Sequence, residues 1–191
     1  MSIDPATLFV RIYPDPALRE KAAEVANVTD EIETVAQRMI ELMIESEGVG
    51  LAATQVGLPW RLFVAFVPPM DEDGRSLGAD PQAVLVEPTV YVNPVLRDFE
   101  GDLETHEEGC LSLPDLHGDL RRPPVVTIEA TGLDGVRFTQ RGQGLLARCW
   151  QHECDHLDGV LIIDRMTPMS RMKNRSKIRE FEKQYVPIES S

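Results

Sequence analysis

The sequence predicts an α+β fold in a single domain, and three observations predict it. A helical apolar period runs from residue 30 to about 47, short β-rich runs recur between 61 and 140, and a second helical segment spans about 142–157. At 191 residues the chain is long enough to bury one sizeable core. The expected arrangement packs antiparallel or mixed β-sheets around the second long helix, with a further helix towards each end of the chain.

Each element has a local cause. Thr29 can cap a helix that starts at Asp30, and Asp30 and Glu31 suit its positive end. Ile32, Val35, Ala36, Met39, Ile40 and Met43 then recur at helical spacing to about Glu47. Arg61–Val67 reads as a strand. The acidic stretch Pro68–Pro81, rich in Pro and Gly, reads as an exposed loop. Strands are expected at Ala83–Val86 and Thr89–Arg97. Val125–Thr131 and Val136–Gln140 flank Leu133-Asp134-Gly135, a hairpin signal. The second helix runs from about Gly142 to Leu157. Six basic and two acidic residues lie between Arg171 and Lys183. As a helix, that tail lines Arg171, Arg175 and Arg179 on one face and Ile178, Phe181 and Tyr185 on an adjacent one.

Composition narrows the function. The formal net charge of −13 argues against general nucleic-acid binding, so no DNA partner is expected. No apolar run approaches a membrane span. Three Cys, an odd number, do not suggest a disulfide framework. Met1-Ser2-Ile3-Asp4-Pro5 has neither the basic and apolar regions of a signal peptide nor the Arg-rich character of a transit peptide, so a cytoplasmic location is expected.

The chemistry is concentrated in His152-Glu153-Cys154-Asp155-His156, an H-E-x-x-H pentapeptide on the second helix. Two His at i and i+4 share a face and can grip one metal ion, and the adjacent Glu is placed to take a proton from water. The plain alternative is a surface helix with unrelated histidines, but two of only four His fall at metal spacing around a Glu. A catalytic site needs a third ligand. Ile162 stands where one protease pattern carries its third His, and Ser176 where another carries a Glu about twenty residues on. A thiolate is therefore the candidate. Cys154 points to another helix face than His152. Cys149 could line the same cavity, but reads more simply as a small buried hydrophobe. Cys110 follows Gly109, which permits close backbone approach.

A third stretch, Gly48-Val49-Gly50-Leu51-Ala52-Ala53-Thr54-Gln55, follows the first helix. Taken alone it reads as a helix-end turn running into a buried segment. No G-K-[ST] follows, so it is not a phosphate loop. Its backbone could lie against an extended peptide, with Gln55 as a polar finger.

Taken together, G-x-G-L-A-A-x-Q at Gly48–Gln55, E-G-C-L-S at Glu108–Ser112 and Q-H-E-x-D-H at Gln151–His156 resemble the three signatures of peptide deformylases, in the same order. The similarity runs from Val10 to about Pro168. The resemblance implies a catalytic unit over 1–168 and a basic tail over 169–191. It implies removal of the N-formyl group from formyl-methionine on nascent chains, with formate released. It implies that Cys110, His152 and His156 hold one divalent metal and that Glu153 is the general acid and base. Gln55 and the Leu111 N–H would polarise the formyl oxygen. Fe2+ is the metal the family generally uses; the ligand set alone also suits Zn2+, Ni2+ or Co2+. Around this core, an Arg122–Asp155 ion pair is expected to tie the Cys110 segment to the metal helix. Gln151 is expected to make structural hydrogen bonds. Val49, Gly50, Leu145, Arg148 (through its aliphatic stem) and Cys149 are expected to receive the methionine, with His106 at the edge; His117 is read as a rim or surface residue. The basic tail is expected to dock on ribosomal RNA near the peptide exit or to pack on the domain. Two rival classes are an H-E-x-x-H zinc metallopeptidase and a non-catalytic, ribosome-associated metal-binding protein. The missing third His speaks against the first, and intact Glu153 and Gln55 against the second.

Overall fold

The computed structural model describes residues 3–69, 80 and 82–186. Most of the loop expected over 68–81 lies outside them. Among the described residues, four α-helices and seven strands follow in order: α1 (Asp30–Glu45), β1 (Gly50–Ala52), β2 (Leu62–Ala65), β3 (Thr89–Glu100), β4 (Glu104–Glu108), β5 (Gly118–Arg122), β6 (Val125–Thr131), β7 (Arg137–Gln143), α2 (Gly144–Leu157), α3 (Ile162–Arg165) and α4 (Pro168–Gln184). The strands form a five-stranded antiparallel sheet, β1-β2-β3-β6-β7, and a separate antiparallel hairpin, β4-β5.

The large sheet separates two cores, and strand alternation decides which residue serves which. Leu62 and Val64 of β2 and Val90 and Val92 of β3 face α1, where Val35, Met39 and Met43 are fully buried. Phe63, Ala65 and Tyr91 face the other way, towards Trp150, Leu146 and Leu157 of α2. Tyr91 stacks on Phe63 at 4.6 Å and meets the Trp150 ring edge-on at 5.7 Å. Each fully buried Leu or Met side chain contributes roughly 1.5–3 kcal/mol by leaving water. The face of α2 that carries Trp150 therefore anchors the helix to the sheet. A third core joins Leu113, Leu116 and Leu120 to Ile162, Ile163 and Met166, and Ile178 of α4 closes it.

The Thr29 cap is made, with its hydroxyl accepting the Ile32 N–H. One expectation is corrected. Residues 83–86 form no strand: Val84 and Leu85 are buried, and the Leu85 N–H donates to the Val67 carbonyl without a continuing ladder. Within 48–55, the buried segment that follows the helix-end turn is β1 and a 3-10 turn over Ala53–Val56. The polar β4-β5 hairpin was not expected at all.

Candidate metal centre

Helix α2 brings Cys149, His152, Glu153 and His156 to one face, since positions three, four and seven apart lie above one another. Strand β4 ends at Glu108, and the turn after it sets Cys110 against the two imidazoles. Cys110 Sγ lies 3.2 Å from His156 Nε2, and that atom lies 3.2 Å from His152 Nε2. All three ligand atoms fall within 4.8 Å of one another, the one such group among the described residues. A four-coordinate ion bonded at about 2.0–2.3 Å to nitrogen and sulfur has tetrahedral edges of about 3.3–3.6 Å. The donor set fits one such ion and leaves a fourth position open.

Glu153 lies beside this group, 3% exposed, and its Oε2 has no hydrogen-bond partner among the described residues. Burial pushes its pKa up to about 7 in the absence of a cation; a bound divalent charge would draw it down again. β1 crosses so close that a Cβ at Gly50 would sit 2.4 Å from Glu153 Oε1 and 2.9 Å from Cys149 Sγ, so only glycine fits there. Gln55 is held in one orientation. Its Oε1 accepts the Ala52 N–H at 2.8 Å, and its Nε2 donates to Ser112 Oγ at 3.1 Å and faces Cys110 Sγ at 3.7 Å. The Leu111 N–H has no acceptor among the described residues, and Leu111 lines the same cleft.

The expected Arg122–Asp155 pair is present at 2.8 Å. Sequence reasoning missed its larger partner. Arg122 forks onto Glu108 through Nε at 2.7 Å and Nη2 at 3.0 Å. His152 Nδ1 lies 3.2 Å from Glu108 Oε2, which fixes the ring so that Nε2 is free to bind metal. Burial alone would raise the Glu108 pKa, but the bonds from His152 and Arg122 outweigh it and hold the carboxyl well below the usual range. Glu108 was legible in one respect: a buried guanidinium has five donors, more than Asp155 alone can satisfy.

A cleft of about 670 Å³ opens over the centre, lined by Val49, Gly50, Leu145, Arg148 and Cys149 as expected. His106 is a correction: it does not line the cleft. It lies two residues short on β4, exposed, with its ring 3.2 Å from Glu104. His117 lines the cleft instead, together with Glu47, Leu113 and Leu116. The Arg148 guanidinium, on which the sequence carried no expectation, turns inward to Glu108 at 2.8 Å. Cys149 donates to the Val49 carbonyl at 3.3 Å and lies outside the Cys110–His152–His156 group, and burial pushes its thiol pKa well up. Cys154 faces away, buried. Gln151 donates to the Pro123 and Ala147 carbonyls.

A thiol, two imidazoles and a buried carboxyl group in one open cleft are the donor set and base of a metal-dependent hydrolase. A model of the polypeptide deformylase family matches residues 8–172. The peptide deformylase of Agrobacterium fabrum is 39% identical over 172 residues, covering 90% of this chain and 92% of that protein. That of Rhodopseudomonas palustris (strain BisB5) is 40% identical over 172 residues, covering 90% and 91%. Among solved structures, a plant peptide deformylase superposes with a TM-score of 0.82 at 31% identity, covering 100% of both chains. The Ehrlichia chaffeensis peptide deformylase gives 0.80 at 31% identity, covering 92% and 97%. The chain belongs to the peptide deformylase family. Its reaction is removal of the N-formyl group from nascent peptides, and neither rival class is favoured.

Proposed function

We propose that Cys110, His152 and His156 hold the metal of this deformylase and that Glu153, Gln55 and Leu111 carry the chemistry. The observation that supports this most is the convergence of one thiol and two imidazole nitrogens beside a buried carboxylate with a free oxygen. When bound, the cation supplies Lewis acidity, polarising the formyl carbonyl and making water easier to deprotonate. Glu153 accepts a proton from the attacking water at Oε2. A C–O bond forms at the formyl carbon, and the oxygen that gains charge accepts from Gln55 Nε2 and the Leu111 N–H. As the C–N bond breaks, Glu153 gives the proton to the amine nitrogen and formate leaves. Val49, Gly50, Leu145, Cys149 and the stem of Arg148 receive the methionine side chain. Ferrous iron is the proposed physiological ion, with zinc, nickel or cobalt fitting the same donors.

Formate release from formyl-Met-Ala-Ser by anaerobically purified, iron-loaded protein tests the reading. Acetyl-Met-Ala-Ser should react poorly, because the space beside Gly50 and Gln55 admits a hydrogen better than a methyl group. Comparable turnover of the acetyl peptide, or cleavage of internal peptide bonds instead, would overturn it.

The proposed catalytic unit is 1–168, and 169–191 the docking appendage, acting in the cytoplasm where nascent chains emerge. The basic residues of α4 stand on a chain whose total charge is −13. Arg171 and Lys177 are engaged with the Ile163 and Asp115 carbonyls, while Arg175 and Arg179 are exposed. These two are the proposed contacts to ribosomal RNA phosphates, which weaken with salt. Ile178 belongs to the third core, so charge reversal is a cleaner test than truncation. Arg175→Glu with Arg179→Glu should reduce ribosome co-sedimentation at low salt and leave tripeptide turnover intact. Unchanged pelleting would make the tail purely structural.

A further inference from the structure

Arg148 sits one helical turn before His152 and lines the cleft between Leu145 and Cys149, yet it is only 9% exposed. Its guanidinium makes three ties. Nη1 donates to Glu108 Oε1 at 2.8 Å and to the Leu120 carbonyl at 3.5 Å, and Nη2 donates to the Glu104 carbonyl at 3.2 Å. These acceptors lie on β4 and β5, so one side chain fastens α2 to both strands of the hairpin.

The hairpin needs such a tie. Glu108 is the only buried residue of β4, so apolar packing does little to place that strand. Arg122 grips Glu108 but also holds Asp155, and Arg165 holds the other Asp155 oxygen at 2.7 Å. With Arg122 alone, the Glu108 carboxylate could rock about a single fork and draw Oε2 away from His152 Nδ1. The Arg148 donor on Oε1 removes that freedom. A desolvated cation is also an expensive way to wall an apolar pocket, where a leucine would pack at less cost; it suits a residue whose task is to place a charge.

We propose that Arg148 is a positioning residue with two linked roles. Its guanidinium locks Glu108 against His152, and its buried stem forms the floor of the side-chain pocket. Metal retention and the accepted length of the first side chain are therefore set by one residue. The pocket role rests on the deformylase reading; the metal role does not.

Three variants separate the roles. In R148M the floor is kept and the clamp lost. Metal loss to a chelator should become about 10–100-fold faster, as for other partners of metal ligands. The visible absorption of the cobalt-substituted protein should shift, and the side-chain preference should hold. R148K restores one donor and should retain metal better than R148M. R148A loses both, so its kcat/KM should shift about 10-fold or more towards a first side chain two methylenes longer than methionine. Arg61→Met, which removes the 2.9 Å Arg61–Asp158 pair at the end of the same helix, is the control and should retain metal normally. Wild-type retention and an unchanged cobalt spectrum in R148M would refute the clamp, as would equally fast loss in Arg61→Met. An unchanged preference in R148A would refute the floor. If even the wild-type protein released no formate, the chelator and cobalt readouts would still decide the metal role.

Discussion

On the front face of α2, the buried Glu153 Oε2 has no hydrogen-bond partner among the described residues. On the rear face of the same helix, both oxygens of Asp155 accept from arginines and the Gln151 amide donates to two carbonyls. Both faces border a cavity. The rear one, about 600 Å³ and partly walled by Val95, Phe99 and Leu103, meets Cys154 and Asp155 but gathers no metal-competent set among the described residues. Buried polar groups are normally satisfied. The contrast is consistent with a helix tied from behind by Asp155 and Gln151 so that one unpartnered carboxylate oxygen, Glu153 Oε2, is kept facing the cleft.

The largest expected effect comes from breaking the front. Glu153→Ala should keep its metal and lose about 10²–10⁴-fold in turnover, as for a lost general base. His152→Ala, His156→Ala and Cys110→Ala should instead lose the metal. Metal analysis alongside formate release distinguishes the two kinds of defect. A metal-free Glu153→Ala protein, or one with near wild-type turnover, would merge the roles of base and ligand.

The join between the faces comes next. Arg122→Leu leaves Glu108 and Asp155 without their shared cation. Arg148 and Arg165 still hold one oxygen of each, so the loss should fall below the roughly 3–5 kcal/mol of a fully broken buried pair. In a chain of this size each kcal/mol moves Tm by about 2–4 °C. Thermal melting of the metal-loaded protein measures this. A melt within a few degrees of wild type would mean that the front does not depend on the rear.

The cysteines give a milder contrast. Cys154→Ala should lower stability by about 1 kcal/mol through lost packing and keep the metal. Cys149→Ala should also keep it, whereas only a thiolate at Cys110 is exposed to oxidation through the metal site. Peroxide should therefore inactivate the iron form of Cys154→Ala as fast as the wild type, and a nickel form more slowly. Metal loss on removing Cys154 rather than Cys110 would reassign the third ligand.

What the sequence made legible follows the same division. Cys110, on a turn outside the helix, was singled out by residue type and by the resemblance, whereas the grouping of His152, Glu153 and His156 was readable because helix geometry dictates their spacing. The periodic apolar face of α1 was readable for the same reason. The β4-β5 hairpin was not, because Glu104-Thr105-His106-Glu107-Glu108 offers no apolar alternation and owes its place to polar ties from Arg122 and Arg148. His106 was misplaced for want of that strand. Residues 83–86 misled in the opposite way: apolar Val84 and Leu85 plug the core as irregular chain. Strand β1, three residues long and wholly buried, has too little pattern to distinguish it from a turn.

The smallest effect is expected where the anchoring of the rear reaches solvent. Arg19 pairs with Asp164 just beyond the end of α2, and Asp164 Oδ2 also accepts the Leu161 N–H at 2.9 Å. Burial pulls the Asp164 pKa up, but the bonds from Arg19 and Leu161 outweigh it, so the carboxyl titrates below its ordinary value. A carboxylate that binds protons less readily folded than unfolded stabilises the fold above its ordinary pKa, and that contribution fades as pH falls through the lowered value. The two side chains are 39% and 35% exposed, so solvent screens the pair and its worth is about 0.2–1 kcal/mol. Asp164→Asn keeps an oxygen for the Leu161 N–H and removes only the charge. Its melting temperature should lie slightly below wild type near neutral pH and converge with it towards pH about 3. Its metal retention should not change at any pH in between. A deficit equally large in acid would assign the interaction to packing rather than charge. A loss of metal would mean that the front face depends on anchoring as distant as Arg19.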